Sequence, residues 1–470
     1  MSGPGIHVWR HRALVCLLSV FVLSVFASGC GDDGGDDGGA GPDPTTTELT
    51  AVSPERVIVG DVVTITGVNL GDGGAGASVL IGGAEADVVS WDDTEVVVEV
   101  PMLFPGEQPV SVQLGDDAYG GLSVTVSLPR RAYVASGERD ASDHDLIQVL
   151  AIGADGALSL MSEAAVSVGI AGAGSFGGAP GNLAIDEARR LLFFSGTDGI
   201  AIFAIDAREG TLTHIEGSPF DLGSGSMYGL AVSPDGGDLY VSYADSNELA
   251  HLRVAEDGTI DPEEVVAYPV GGSSDAVYVT ADGRFVYTTS GYGVSGFRRT
   301  AATGALTAIE GSPWDLVEET YGCGLNPSGS RLYCGNYSAY EIAALDIDAT
   351  SGALTTTAGS PWEVDNEGPM GVAFHPDGTR VWVTMWRDGA VSSFDVDAQG
   401  GLEHAETLET VDEPAAIVVS DDGTVLVLVG QASRTVQSFT ISATGFESAG
   451  AALVFGSSAY PTALRLAGFR

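Results

Sequence analysis

Leu230-Ala231-Val232-Ser233-Pro234-Asp235-Gly236, followed by Leu239-Tyr240-Val241, reads as a strand, a tight turn and a second strand. Val372-Ala373-Phe374-His375-Pro376-Asp377-Gly378, with Val381-Trp382-Val383, repeats the pattern. The apolar runs are too short for helices, and the turn has a mechanism: Pro fixes φ, Asp accepts from the backbone two residues on, and Gly supplies positive φ. Equivalent positions fall at Ala184, Ala231, Tyr278, Gly324, Ala373, Val418 and Arg465, spaced 45 to 49 residues apart. A period of that length belongs to the four-stranded blades of a β-propeller.

Outward from that core, each unit continues into a third strand and an Asp/Gly turn, as at 203–210, 345–352 and 394–401. A fourth strand follows, ending three times in Gly-Ser-Pro-aromatic, at 217–220, 311–314 and 359–362. Six full units run from about 180 to 459, leaving two fragments. Residues 130–172 begin with Arg131-Ala132-Tyr133-Val134-Ala135-Ser136, a second strand without a first, and Tyr460 to Arg470 is a first strand alone. Joined, they make a seventh blade and close the ring with no free edge. An open solenoid has no need of complementary half-units at its ends. The expected fold is therefore all-β over 130–470, a seven-bladed β-propeller closed by joining N- and C-terminal strands.

The chain has 470 residues, 44% hydrophobic and 18% charged, which excludes a disordered polyanion and a multi-span membrane protein. Nineteen basic residues, all Arg, face 64 acidic ones for a net charge of −45. That field repels phosphates, so no nucleic-acid partner is expected.

Between Glu48 and Leu128 a smaller unit alternates apolar and polar residues in short runs separated by Gly, Asp and Pro turns, the marks of a β-sandwich. Ser53-Pro54, Gly60-Asp61-Val62-Val63-Thr64-Ile65-Thr66-Gly67-Val68-Asn69-Leu70-Gly71, Ile81-Gly82-Gly83 and Asp93-Thr94-Glu95 leading to Val100-Pro101 resemble the immunoglobulin-like IPT/TIG family. The resemblance implies a spacer or interaction module over 48–128. Residues 1–29 read as an export signal: Arg10 and Arg12, an apolar run over 13–27, then small residues before Cys30. Ser28-Gly29-Cys30 resembles the bacterial lipobox, with Ala27 where the family prefers Leu. This implies a Cys30 lipid anchor, membrane attachment at the cell envelope, and a tether over 30–47.

Cys323 and Cys334 are the thiols left to the folded body. Pairing Leu325 with Leu332 across the intervening turn sets Cys323 opposite Cys334, so a cross-strand disulfide is expected in an oxidising compartment.

In a propeller, the loops from fourth to first strand and from second to third strand share one face. The first kind brings Tyr228, Asp275, Glu319, Tyr321, Glu367, Glu413 and Tyr460 there; the second adds Arg139, His144, Tyr243, Tyr292, Tyr337, Trp386 and Arg387. Acidic and aromatic side chains together suit sugar stacking or cation chelation. Tyr228, Asp275, Tyr321, Glu367, Trp386 and Tyr460 are the ligand-binding candidates; no cofactor is predicted and no metal site is assigned, calcium being the one cation such a face would suit. His375 belongs to a turn on the opposite face, and His214, His251 and His404 fall in outer strands.

The repeat residues, with Gly210-Thr211-Leu212, Gly304-Ala305-Leu306 and Gly352-Ala353-Leu354, resemble the lactonase-type seven-bladed propellers, which include bacterial 6-phosphogluconolactonase and the YVTN-repeat surface proteins. The resemblance implies ring-ester opening by His, Arg and Glu on this face, for which His144, Arg139, Arg387 and Glu319 are the residues available. All the matching residues are structural, so two functions stay open. One is a cell-envelope lipoprotein whose propeller binds a protein or carbohydrate; the other is an exported lactonase-like hydrolase acting on a lactone or sugar derivative.

Overall fold

The computed structural model describes residues 46–470 except 102, 104–105, 128–129, 140–144, 154, 162–164, 171–180, 207–208, 224, 291–292, 316–318, 456–460 and 468–470. Cys30, its signal and residues 31–45 of its tether lie outside the described residues, as do His144, Tyr292 and Tyr460 and the side chain of Arg139.

Residues 48–127 form two sheets. Glu48–Ser53, Val62–Val68, Glu95–Glu99 and Asp87–Trp91 make one; Arg56–Ile58, Asp117–Ser127, Gly106–Leu114, Ala77–Ile81 and Ala84–Glu85 make the other, with Arg56–Ile58 running parallel to its partner. The period-two pattern places Val63, Ile65, Val79, Ile81, Val96, Val98, Val110 and Val112 in the core at 1% exposure or less. Burying each such side chain contributes about 1.5–3 kcal/mol.

Seven antiparallel sheets follow. Their innermost strands are Leu183–Asp186, Met227–Val232, Ser274–Val279, Cys323–Leu325, Pro369–Phe374, Pro414–Val419 and Pro461–Ala467. The last pairs with Arg130–Arg139, in register Arg465↔Tyr133, so one C-terminal strand completes a blade whose other strands lie at the N-terminal side. Every repeat position pairs with its second-strand counterpart: Ala184↔Phe193, Ala231↔Tyr240, Tyr278↔Tyr287, Gly324↔Tyr333, Ala373↔Trp382 and Val418↔Val427. Cys323 faces Cys334 in that register, with Cα atoms 4.0 Å apart and their sulfurs bonded.

The repeat motifs have physical reasons. The buried hydroxyls of Tyr133, Tyr240, Tyr287 and Tyr333 donate to the carbonyls of Gly210, Gly304, Gly352 and Gly400, each in the following blade, at 2.7–3.0 Å. The Tyr of Leu-Tyr-Val and the Gly of Gly-x-Leu are thus two ends of one inter-blade hydrogen bond. In the Pro-Asp-Gly turns, Asp235 Oδ1 accepts from Gly237 N–H and Asp377 Oδ1 from Thr379 N–H, as an Asx turn requires. The Gly-Ser-Pro-aromatic motif does not end the fourth strand. It is a turn with a cis Ser-Pro bond at 218, 312 and 360, whose Ser Oγ accepts from the third-strand N–H of Ile202, Gly296 or Ala344. Its aromatic then pairs back onto the third strand, as Phe220 with Ile200 and Trp362 with Ile342.

Asp238, with no exposed surface, accepts from His251 Nε2 at 2.8 Å, Arg253 at 2.6 Å and Arg299 Nε of the next blade at 2.9 Å. Burial pushes this carboxyl up, but hydrogen bonds from His251 and Arg299 outweigh it and hold it below the usual range. His251 is therefore structural. His214 is held by Ser218 Oγ and the Ser167 carbonyl, His404 by Thr407, and His375 by Asp377 in its turn.

Candidate functional site

At the end of the ring opposite the Pro-Asp-Gly turns, the two loops of a blade are joined by backbone hydrogen bonds. Tyr337 N–H donates to the Glu319 carbonyl at 3.3 Å, Arg387 N–H to that of Glu367 at 3.3 Å, and Gln431 N–H to that of Glu413 at 3.0 Å. Glu319 and Glu413 take positive φ, 47° and 53°, to present those carbonyls. Asp388 closes the Glu367 loop by accepting from Glu367 N–H and the Asn366 amide. Gly368, at φ 75°, lets the strand ends approach: a Cβ there would lie 3.0 Å from the Tyr337 ring and 3.2 Å from the Arg387 nitrogen.

These loops assemble an aromatic ladder across two blades. Tyr321 meets Tyr337 edge to face with centroids 5.4 Å apart, and Tyr337 meets Trp386 at 6.0 Å. The Arg387 guanidinium lies 4.6 Å from the Tyr337 ring centroid and donates to the hydroxyls of Tyr337 (3.0 Å) and Tyr340 (2.8 Å). Tyr340 in turn donates to Glu367 Oε2 at 3.3 Å, which stands 3.7 Å from Arg387. The Tyr337 hydroxyl, first among its partners, holds Arg387 more firmly protonated than usual. Trp386 is half-buried with its indole N–H unpartnered. Tyr340 and Asp388 are members that sequence reasoning missed; the short Tyr337-Ser-Ala-Tyr340 spacing was the available signal.

Asp275 enters from the neighbouring blade. The pairing of its strand slips between Ser274 and Ala276, leaving Asp275 as the bulged residue. Bulges re-aim side chains in this way. Corresponding slips fall at Tyr228-Gly229, Met370-Gly371 and Ala415-Ala416, so Asp275 is the one carboxylate of this set. Burial pushes its carboxyl up to about 7, and its charge is felt by both Tyr278 and Tyr321. Burial, then the charges of Glu319 and Asp275, raise the Tyr321 phenol, which stays neutral and able to donate.

The structure therefore brings together Tyr321, Tyr337, Trp386, Arg387 and Glu367, with Asp275 and Glu319 in electrostatic reach of Tyr321. Tyr228 is half-buried in its own bulge and makes no ring contact with the ladder. Arg387, expected as a catalytic cation, is already engaged by two phenols and Glu367. Among the described residues, no three His, Cys, Asp or Glu side chains converge to hold a metal ion.

Residues 48–127 match the family model of the IPT/TIG domain, and residues 182–366 match that of the lactonase 7-bladed beta-propeller. A 6-phosphogluconolactonase of Pectobacterium carotovorum subsp. carotovorum is 22% identical over 191 residues, 40% of this chain and 56% of that protein. The chain thus spans about half the length of the curated relatives it matches. A putative 6-phosphogluconolactonase from Bacteroides uniformis superimposes with a TM-score of 0.58 at 14% identity, covering 72% of this chain and 99% of its own. The periplasmic gluconolactonase of Pseudomonas aeruginosa does so with 0.56 at 18%, covering 72% and 99%. At these identities the likeness is one of fold: an IPT/TIG sandwich followed by a lactonase-type propeller.

Proposed function

We propose that the propeller is a recognition body whose face of paired loops takes a neutral sugar or polyol, carried on an exported chain anchored at the cell envelope through Cys30. The Tyr321–Tyr337–Trp386 ladder, with Arg387 and Glu367 at its side, carries this reading. Aromatic rings accept the C–H face of a sugar, while Glu367, Asp388 and the neutral Tyr321 phenol supply acceptors and donors for hydroxyls. The surrounding carboxylates and the net charge of −45 disfavour a phosphorylated ligand, since Arg387 is already paired.

A second reading is lactone hydrolysis. It is favoured by Asp275, a carboxyl near neutrality beside a phenol, which suits general acid–base chemistry, and by the lactonase family match over 182–366. The same titration separates the two. Wild type and Trp386→Ala are titrated with neutral sugars and aldonolactones, following binding heat and ring opening together. Saturable binding without turnover, weakened at least tenfold in Trp386→Ala, supports recognition. Ring opening that disappears in Asp275→Asn and His144→Ala establishes the hydrolase instead, and neither binding nor turnover refutes both.

A further inference from the structure

The opposite end of the ring holds a second, chemically different site. All seven innermost strands line a cavity of about 610 Å³ along the propeller axis, flanked by the Pro327 and Pro376 turns. At its middle lies the repeat column named from the sequence, in which Ala184, Ala231, Gly324, Ala373 and Val418 are small and leave the space open. The two large members are Tyr278 and Arg465. Cys323 N–H donates to the Tyr278 hydroxyl at 2.7 Å, which leaves that hydroxyl's own proton to give. Arg465 donates to the Leu464 carbonyl at 2.8 Å and pairs with no carboxylate among the described residues. Burial pulls it down to about 10, so it stays charged at neutral pH.

The next position toward the turns is apolar in every blade, an isoleucine, three valines, two leucines and a phenylalanine from Ile185 through Phe374 to Leu466, and all seven are half-buried. Glu187 and Asp421 stand at the rim. An apolar collar above one guanidinium admits an apolar group and neutralises one negative charge, while the rim carboxylates oppose a second. The volume is that of an organic ligand site, far above the roughly 30 Å³ of a water molecule.

From this geometry we propose that the axial cavity is a binding site for a singly charged organic carboxylate with an apolar body, its carboxylate held by Arg465 and the Tyr278 hydroxyl. The site is separate from the aromatic ladder and does not depend on the function proposed there.

The test uses the whole folded chain, with benzoate as the probe, benzyl alcohol as its neutral counterpart and inorganic phosphate as a compact anion. Calorimetric titration and thermal unfolding are measured on wild type, Arg465→Met and Trp386→Ala. Expected are saturable benzoate binding at least tenfold tighter than benzyl alcohol or phosphate, loss of that preference in Arg465→Met, and its retention in Trp386→Ala. Arg465→Met also unfolds at a higher temperature without ligand, because it removes an unpaired charge from the cavity, which shows that the variant folds. The proposal is overturned if benzoate does not bind, if it binds no better than benzyl alcohol or phosphate, or if Arg465→Met binds it unchanged.

Discussion

Asp275→Asn isolates what a buried, unpaired carboxyl costs this fold. Raising that group from an ordinary 3.8 to about 7 means that ionising it costs the folded state about 4 kcal/mol. Water reaching the half-buried side chain reduces this to about 2–4 kcal/mol. The sign follows from which state holds the proton. Below about pH 3.8 both states are protonated and nothing is lost; between there and about pH 7 the unfolded chain ionises first, so stability falls as pH rises; above pH 7 the cost is constant. Asparagine keeps the shape and removes the titration. For a body of this size, roughly 1 °C in melting temperature corresponds to 1 kcal/mol. The variant should therefore melt about 2–4 °C above wild type at about pH 8.5 and within about 1 °C of it near pH 4. Thermal unfolding followed by near-ultraviolet circular dichroism, across that range at fixed ionic strength, measures the difference. An equal gain at both ends, or a loss at the alkaline end, would refute an unpaired, desolvated Asp275.

Three further outcomes follow from the packing. Tyr240→Phe and Tyr287→Phe each strand a Gly carbonyl at a blade interface, so each should cost about 1–2 kcal/mol in chemical denaturation, and the double variant should cost their sum. Replacing Cys323 and Cys334 by Ser opens a link of sequence separation 11 and should cost about 3 kcal/mol by chain entropy, read as the gap in denaturation midpoint from the oxidised protein. Asp238→Asn removes the fully buried carboxylate that Arg299 and Arg253 share and leaves Arg299 with the half-exposed Asp235 alone, so it should cost about 3 kcal/mol at neutral pH. Because the Asp238 carboxyl is held below 3.8, its contribution is present above that value and fades as pH falls, so the gap between variant and wild type should shrink in acid unfolding curves.

The fold was legible because its signals are local and periodic. Pro-Asp-Gly turns and short apolar runs define strand pairs, the half-units around Tyr133 and Arg465 imply closure, and hairpin register alone sets Cys323 opposite Cys334. What stayed hidden is interaction between distant segments. Leu-Tyr-Val and Gly-x-Leu were both visible as repeats, but that Tyr240 reaches Gly304 in the next blade depends on how blades stack. The ladder shows the same limit: loop position placed Tyr321, Tyr337 and Trp386 on one face, whereas their ring contacts and the capture of Arg387 by Tyr340 depend on loop conformation. Arg465 was written in the repeat column all along, as a large cation among small residues. Its consequence emerges only once the column is seen to line a cavity.

Binding of a neutral sugar on the aromatic ladder of the paired-loop face can be seen directly. The most direct measurement is a crystal or cryo-EM structure of residues 48–470 soaked with the tightest-binding sugar or lactone from the titration. Density is expected stacked on Tyr337 and Trp386, with hydroxyls reaching Glu367 and Asp388. Density confined to another surface, or a ladder left bare at saturating ligand, would contradict it.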